Sequence, residues 1–210
     1  MMRYGVVMFT TMAPRILVDV ARETEAAGWD GFFIWDGFVS DNAWVLLAAT
    51  AMATKRIRLG TMLTALSRRR PWQLAGEVAT LDRLSNGRAI LSLGLGAADD
   101  LGFARVGEAT DRKVRAELLD EGIELVTRFW SGQPFTFDGT HYHVDWDARH
   151  SYTPVQQPRI PIWVVGAWPS GKSMRRVLRC DGLIPSKDDT GRHRVRGHTR
   201  RHPRHEAVCG

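Results

Sequence analysis

The sequence predicts an α/β fold on parallel strands, an incomplete (β/α)8 barrel of the TIM type with a hairpin excursion before strand five. Three observations carry this expectation. Short apolar runs alternate with amphipathic helical stretches from the start of the chain. The connections between them are short, which implies parallel strands joined by right-handed crossovers. The strand count stops at six, where a closed barrel needs eight.

Residues 4–9 form a continuous apolar run with Val6 and Val7, the pattern of a strand buried on both faces. Ile16, Leu17, Val20, Ala21, Thr24 and Ala27 recur at three and four, giving a helix with one apolar face, which Gly28 closes. Residues 31–35 are the second strand, 44–54 a helix and 57–63 the third strand. Leu74, Val78, Leu81 and Leu84 mark a helix ended by Asn86-Gly87, and 89–95 are the fourth strand. A long helix starts near Asp111, with Leu119, Ile123, Val126 and Trp130 on its stripe. The rhythm then breaks. Residues 135–144 alternate and turn at Asp138-Gly139, a hairpin. Residues 159–165 are the fifth strand, 174–179 a short helix and 182–184 the sixth strand.

The chain has 210 residues, 44% of them hydrophobic and 25% charged, an ordinary globular balance. Its two cysteines, Cys180 and Cys209, suggest no disulfide framework, so a cytoplasmic, reducing setting is expected. No apolar run approaches the roughly 18 residues that span a bilayer, so no membrane partner is expected. The net charge of +6 is uneven. From Lys187 onward one Lys and six Arg face three acids, and the body before it is nearly neutral. Nucleic acid is therefore not the expected partner of the body.

Parallel α/β folds place their sites at the C-terminal ends of strands. That rule selects Asp36, the segment from Met62 through Leu63 to Thr64, the segment after Gly94, and the segment after Gly166. Gly94-Leu-Gly96 follows a strand, but Asp99 stands where a dinucleotide loop needs its third small residue. Those glycines suit the close approach of backbone to a flat ligand or a neighbouring strand. Gly166-Ala-Trp-Pro-Ser-Gly-Lys172-Ser173 matches the phosphate-loop pattern in full and lies between a strand and a helix. A P-loop-type nucleotide-binding protein is thus the alternative reading, although such a loop usually opens its domain. A weaker version has Gly166 and neighbouring N–H groups holding a phosphate at a helix start. Asp36 either positions cofactor or substrate or caps the strand–loop junction. Arg68-Arg69-Arg70 is either a solvated loop or an attractor for an anionic ligand. His141 and His143 share a hairpin face and read as exposed strand residues. No metal site is expected, the histidines of the tail lacking a second ligand set.

Several stretches together resemble the bacterial luciferase-like flavin-dependent oxidoreductases and monooxygenases. They are Arg56-Ile-Arg-Leu-Gly-Thr61, Arg70-Pro-Trp-Gln-Leu-Ala75, Ala79-Thr-Leu-Asp-Arg-Leu-Ser85, Gly87-Arg88, Leu93-Gly-Leu-Gly96, Pro158-Arg-Ile-Pro-Ile-Trp163 and Asp181-Gly182. The resemblance runs from about Met2 to Ser186. It implies a (β/α)8 barrel with an excursion before strand five. It also implies FMN or the deazaflavin F420 at the C-terminal end of the strands, and an unknown small organic substrate. By that resemblance the ring rests on a bulge after strand three, at Met62, Leu63 and Thr64, commonly with a non-prolyl cis peptide. Gly94 and Gly96 line the ring pocket, and Gly166 and Ala167 approach the phosphate. Family partners include a separate flavin reductase, and full-length relatives form homodimers. Two departures put FMN ahead of F420. Asp36 is followed by Gly37 where many deazaflavin members have histidine, and Ala97 stands where the sugar-phosphate dehydrogenases have glutamate.

Residues 1–186 are therefore expected to be a partial barrel domain and 187–210 a basic His/Arg-rich tail foreign to the family, as an out-of-frame ending would be. A truncated, inactive homologue whose tail binds nucleic acid is the further alternative.

Overall fold

The computed structural model describes residues 2–38, 40–97, 101–149 and 152–187. In chain order the elements are β1 (Gly5–Met8), α1 (Pro14–Ala26), β2 (Gly31–Ile34), α2 (Ala43–Ala53), β3 (Arg58–Thr61) and β4 (Thr64–Ala65). A 3-10 turn (Leu66–Arg68), α3 (Pro71–Leu84), β5 (Ala89–Gly94), α4 (Leu101–Ala104) and α5 (Arg112–Trp130) follow. The chain continues through β6 (Phe135–Asp138), β7 (His143–Trp146), β8 (Ile162–Trp168), α6 (Gly171–Val177) and β9 (Gly182–Lys187). The main sheet is parallel in the order β1-β2-β3-β5-β8-β9, with β4 extending β3 along β5, and β6–β7 form a separate antiparallel hairpin. This is the curled half-barrel that the strand–helix alternation predicts.

Strand alternation divides the side chains between two faces. Phe32, Ile34, Leu59, Leu91, Leu93, Ile162 and Val164 pack outward against Leu17 of α1, Leu47 of α2, Val78 of α3 and Val126 of α5. Each such buried side chain contributes roughly 1.5–3 kcal/mol. Phe33 and Trp163 stand on the inner face, their ring centroids 5.5 Å apart.

Polar side chains stitch the N-terminal ends of the strands, Arg88 and Asp82 being buried. Arg88 donates to the carbonyls of Ala51, Thr54, Ile57 and Ser85 and to the Thr54 hydroxyl, closing the C-terminal end of α2. The Glu25 carboxylate accepts the backbone N–H groups of Lys55, Arg56 and Ile57. Asp82, wholly buried, accepts from the backbone of Val155 and Gln156 and from the Gln156 amide.

Four local expectations change. β1 is not buried on both faces: Tyr4 and Phe9 are 59% and 55% exposed. It pairs with β2 alone, and no described element covers its other edge. The hairpin turns through four residues, Gly139 to Tyr142, and not at Asp138-Gly139, because Glu121 gathers the N–H groups of Thr140, His141 and Tyr142. His141 and His143 consequently part. His141 meets Glu117 at 3.1 Å and His143 meets Asp138. The fifth strand of the barrel, β8, starts at Ile162, after Pro158 and Pro161, which lack the N–H a ladder needs. The sixth, β9, reaches Lys187, which pairs with Trp168, so the last strand extends one residue into the segment assigned to the tail. The rest of that tail lies outside the described residues. Among the described residues, no helix is long and apolar enough to cross a membrane.

Candidate functional site

The register along β5 fixes the shape of the site. Gly60 pairs with Ile90 and Thr64 with Leu93. Three residues, Thr61, Met62 and Leu63, thus stand opposite two, Leu91 and Ser92. This is a one-residue bulge, a feature that re-aims side chains next to active sites. The Met62–Leu63 peptide is cis, where the resemblance implied such a bond.

The bulge forms part of the wall of a cleft of about 1130 Å³ at the C-terminal ends of the strands. Met62, Leu63, Gly94, Gly96, Ala167 and Asp36 all line it. Gly94 lies against Leu63, since a β-carbon there would sit 2.9 Å from the leucine methyls. Gly96 has a φ of +77°, and a β-carbon there would meet Phe103 at 2.8 Å. Both glycines let the strand end and its loop close on their neighbours.

Thr64 and Gly166 do not line the cleft. Thr64 is fully buried behind the bulge and shares its hydroxyl with Thr61 and Asp36. Gly166 faces α6, where a β-carbon would fall 2.3 Å from Leu183 and 2.9 Å from Val177.

Asp36 is 7% exposed and its carboxylate is fully engaged. One oxygen accepts the Thr64 hydroxyl at 2.8 Å and the other accepts Arg69 at 3.1 Å. Its backbone carbonyl accepts Arg68 at 2.7 Å. This is the arrangement of a residue that fixes the loop after β2 against the turn after β4. The arginine run is likewise not simply solvated: Arg69 also binds Glu77, at 3.1 Å, and Arg68 lies over the Phe103 ring. Burial raises the Glu77 carboxyl above the ordinary glutamate range, with Arg69 opposing and Asp36 adding to the shift.

The phosphate-loop pattern does not form a phosphate loop. Gly166, Ala167 and Trp168 belong to β8, leaving only Pro169 and Ser170 to connect it with α6. The Ser173 hydroxyl accepts the Ala167 N–H at 2.9 Å and donates to the Val165 carbonyl at 3.2 Å. The motif's hydroxyl and one of its amides are thus spent on each other, and its first three residues are strand and not loop. Ser170 instead caps α6.

Sequence reasoning passed over Arg115. It is 3% exposed, donates to the carbonyls of Leu95 and Gly96 at 3.1 and 3.3 Å, and lies 4.8 Å from the Phe103 ring centre. It therefore pins the loop that carries Gly96. Its Nε has no partner, although the residue lines the cleft. Burial lowers its pKa, and the neighbouring Arg112 adds to this. The signal was present: Arg115 stands four residues before Leu119, on the apolar stripe of α5, where an arginine needs a reason. Arg176 was passed over too. It is buried, and its guanidinium holds both oxygens of Asp120 at 2.8 Å, tying α6 to α5. Among the described residues no His, Cys, Asp and Glu cluster could hold a metal ion.

Solved structures share this fold. An F420-dependent secondary alcohol dehydrogenase, in complex with an F420–acetone adduct, matches with 25% identity and a TM-score of 0.74, over 88% of this chain and 58% of that one. The coenzyme F420-dependent tetrahydromethanopterin reductase of Methanopyrus kandleri matches with 21% identity and a TM-score of 0.73, over 87% and 55%. The oxygenating constituent of 3,6-diketocamphane monooxygenase from the CAM plasmid of Pseudomonas putida, in complex with FMN, matches with 21% identity and a TM-score of 0.69, over 84% and 55%. The chain spans little more than half the length of each. The luciferase-like monooxygenase family model matches residues 2–197, nearly the whole chain, and the protein belongs to that family.

Proposed function

We propose that this chain binds a flavin-type cofactor, FMN ahead of F420, in the large cleft and serves a two-electron oxidoreductase reaction on a small organic substrate. The single observation that carries the reading is the bulge at Met62 and Leu63, which presents an apolar surface for a flat ring beside Gly94 and Gly96. The cleft's size is that of sites which bury most of a cofactor-sized ligand. The residues present fit such a group. Leu63, Leu95 and Val165 offer apolar contact, the unpartnered Arg115 Nε offers a buried donor, and Lys172 stands at the rim for an anionic tail. Solved members bind FMN in one case and F420 in another. FMN is preferred because Gly37 and Ala97 lack the histidine and glutamate of the deazaflavin branches.

When bound, the flavin or deazaflavin would supply the hydride or oxygen chemistry. The chain's own part is orientation and exclusion of water. The bulge sets the ring plane, Arg115 holds the loop after β5 in place, and Asp36 with Arg69 fixes the loop after β2. Gly166 and Thr64 act behind the cleft wall, not against the ligand.

Fluorescence titration with FMN, reduced FMN and F420 tests this, with Mg²⁺–ATP as the contrasting ligand. Saturable binding of a flavin that is weakened by Gly94→Leu supports the reading. Tight, Mg²⁺-dependent ATP binding without flavin binding would overturn it.

A further inference from the structure

A second cleft, of about 580 Å³, lies beside the first and shares Asp36 and Arg68 with it. It opens between the 3-10 turn, the start of α3, the segment after α4 and the hairpin loop. We infer that this second cleft binds the carboxylate of an acidic organic substrate, and so names the substrate class of the enzyme proposed above, on which it rests.

Four side chains that carry hydrogen-bond donors without a hydrogen-bond partner among the described residues line it. Ser67 is 5% exposed and its hydroxyl has no partner. Tyr142 is 6% exposed, and no described residue bonds its phenol. The Gln73 side chain also lacks a partner among the described residues, and the Arg70 guanidinium lies 5.8 Å from the Trp72 ring centre with no ion pair among the described residues. All four line the cleft. Trp72 in turn meets Tyr142 edge-on at 6.2 Å, so Arg70, Trp72 and Tyr142 form one packed group. Ser67 and Tyr142 are buried whereas Gln73 and Arg70 are exposed; a buried donor left unpaired is costly, and a ligand that accepts from it recovers that cost.

Three arginines, Arg68, Arg69 and Arg70, line the cleft against two acids, Asp36 and Glu108, which leaves one positive charge in surplus. Asp36 is spent on Thr64 and Arg69, and Arg69 is shared with Glu77. Glu117 faces His141 and Lys113. Glu108 lines the cleft and makes no ion pair among the described residues. One surplus positive charge suits a monoanion over a dianion, hence a carboxylate. Phe38, Val106 and Leu118 supply the apolar wall that the rest of an organic acid requires. The shared wall at Arg68 then directs that remainder toward the bulge in the larger cleft.

Calorimetric titration of the full chain with benzoate and with its neutral isostere benzamide tests this, alongside an FMN titration. Benzoate is expected to bind about tenfold or more tightly than benzamide, the scale of a charge-assisted hydrogen bond. Arg70→Gln should remove that preference, Ser67→Ala should weaken benzoate alone, and neither should move FMN affinity, since neither residue lines the larger cleft. Arg70→Lys should restore part of the preference. Equal binding of benzoate and benzamide, or a preference that survives Arg70→Gln, would overturn the proposal. FMN binding without benzoate binding sinks the substrate class and leaves the flavin reading standing. Benzoate binding without FMN or F420 binding leaves an acid-binding cleft and sinks the flavin reading, and with it the assignment of this acid as substrate.

Discussion

β1 and β2 are nearly the same strand in sequence, Gly-Val-Val-Met against Gly-Phe-Phe-Ile, and they lie side by side in register. Yet every residue of β2 is buried and none of β1 is. The difference is position alone. β2 has a strand on each side, whereas β1 has one, and the inner face it would share stays open. A run of apolar residues therefore reports what a strand can bury against, and its neighbours decide whether it does.

The largest expected effect sets the two strands against each other. Phe32→Ala in β2 should destabilise by about 4 kcal/mol, while Val7→Ala in β1 should cost under about 1 kcal/mol. Urea unfolding midpoints would show it. Equal losses would mean that β1 is covered in solution.

Next come the stitches below the strands. Arg88→Met should cost about 3 kcal/mol, because it leaves four buried carbonyls without their donor. Asp30→Ala, which frees only the N–H of Tyr4 at the exposed edge, should cost about 0.5 kcal/mol. Thermal midpoints would rank the two, and a reversed order would undo the contrast between centre and edge.

Arg115→Met should lower flavin affinity about tenfold and cost less stability than Arg88→Met, since two carbonyls and not four lose their donor. A large loss of stability with unchanged affinity would assign Arg115 to folding alone.

Glu25 provides a pH signature. Burial alone would raise its pKa, but three backbone N–H donors and Arg56 outweigh that and hold it below the ordinary glutamate value. The unfolded chain therefore takes up this proton first as pH falls. The carboxylate's contribution is present above the ordinary glutamate pKa and is lost as pH drops through the lower folded value. Glu25→Gln should flatten that part of the stability–pH curve, and an unchanged curve would sink the assignment.

Much of the fold was legible because it rests on periodicity. The stripe of Leu119, Ile123, Val126 and Trp130 could only be a helix, and the run from Ala89 to Gly94 could only be a central strand. Two of the misreadings share a cause: a side chain took over local hydrogen bonding. Glu121 widened the hairpin turn, and the Ser173 hydroxyl closed a pattern that read as a phosphate loop. At the site, the residues on the bulge and the two glycines after β5 could be placed by the rule of strand ends. The parts of Thr64 and Gly166 could not, because each needed to be known as facing inward or outward. That depends on the bulge in one case and on the packing of α6 in the other.

The bulge also acts as a parity switch. Up to Gly60 the even-numbered residues of this segment face the barrel interior and the odd-numbered ones face the helices. One extra residue exchanges them, so that Ala65 lines the cleft and Thr64 turns back to Thr61 and Asp36. Deleting a single residue at 62 or 63 would therefore do more than shorten a loop. It would erase the bulge and with it the surface offered to the ligand, while Thr64 stayed opposite Leu93, still turned toward Asp36, and Ala65 stayed opposite Gly94.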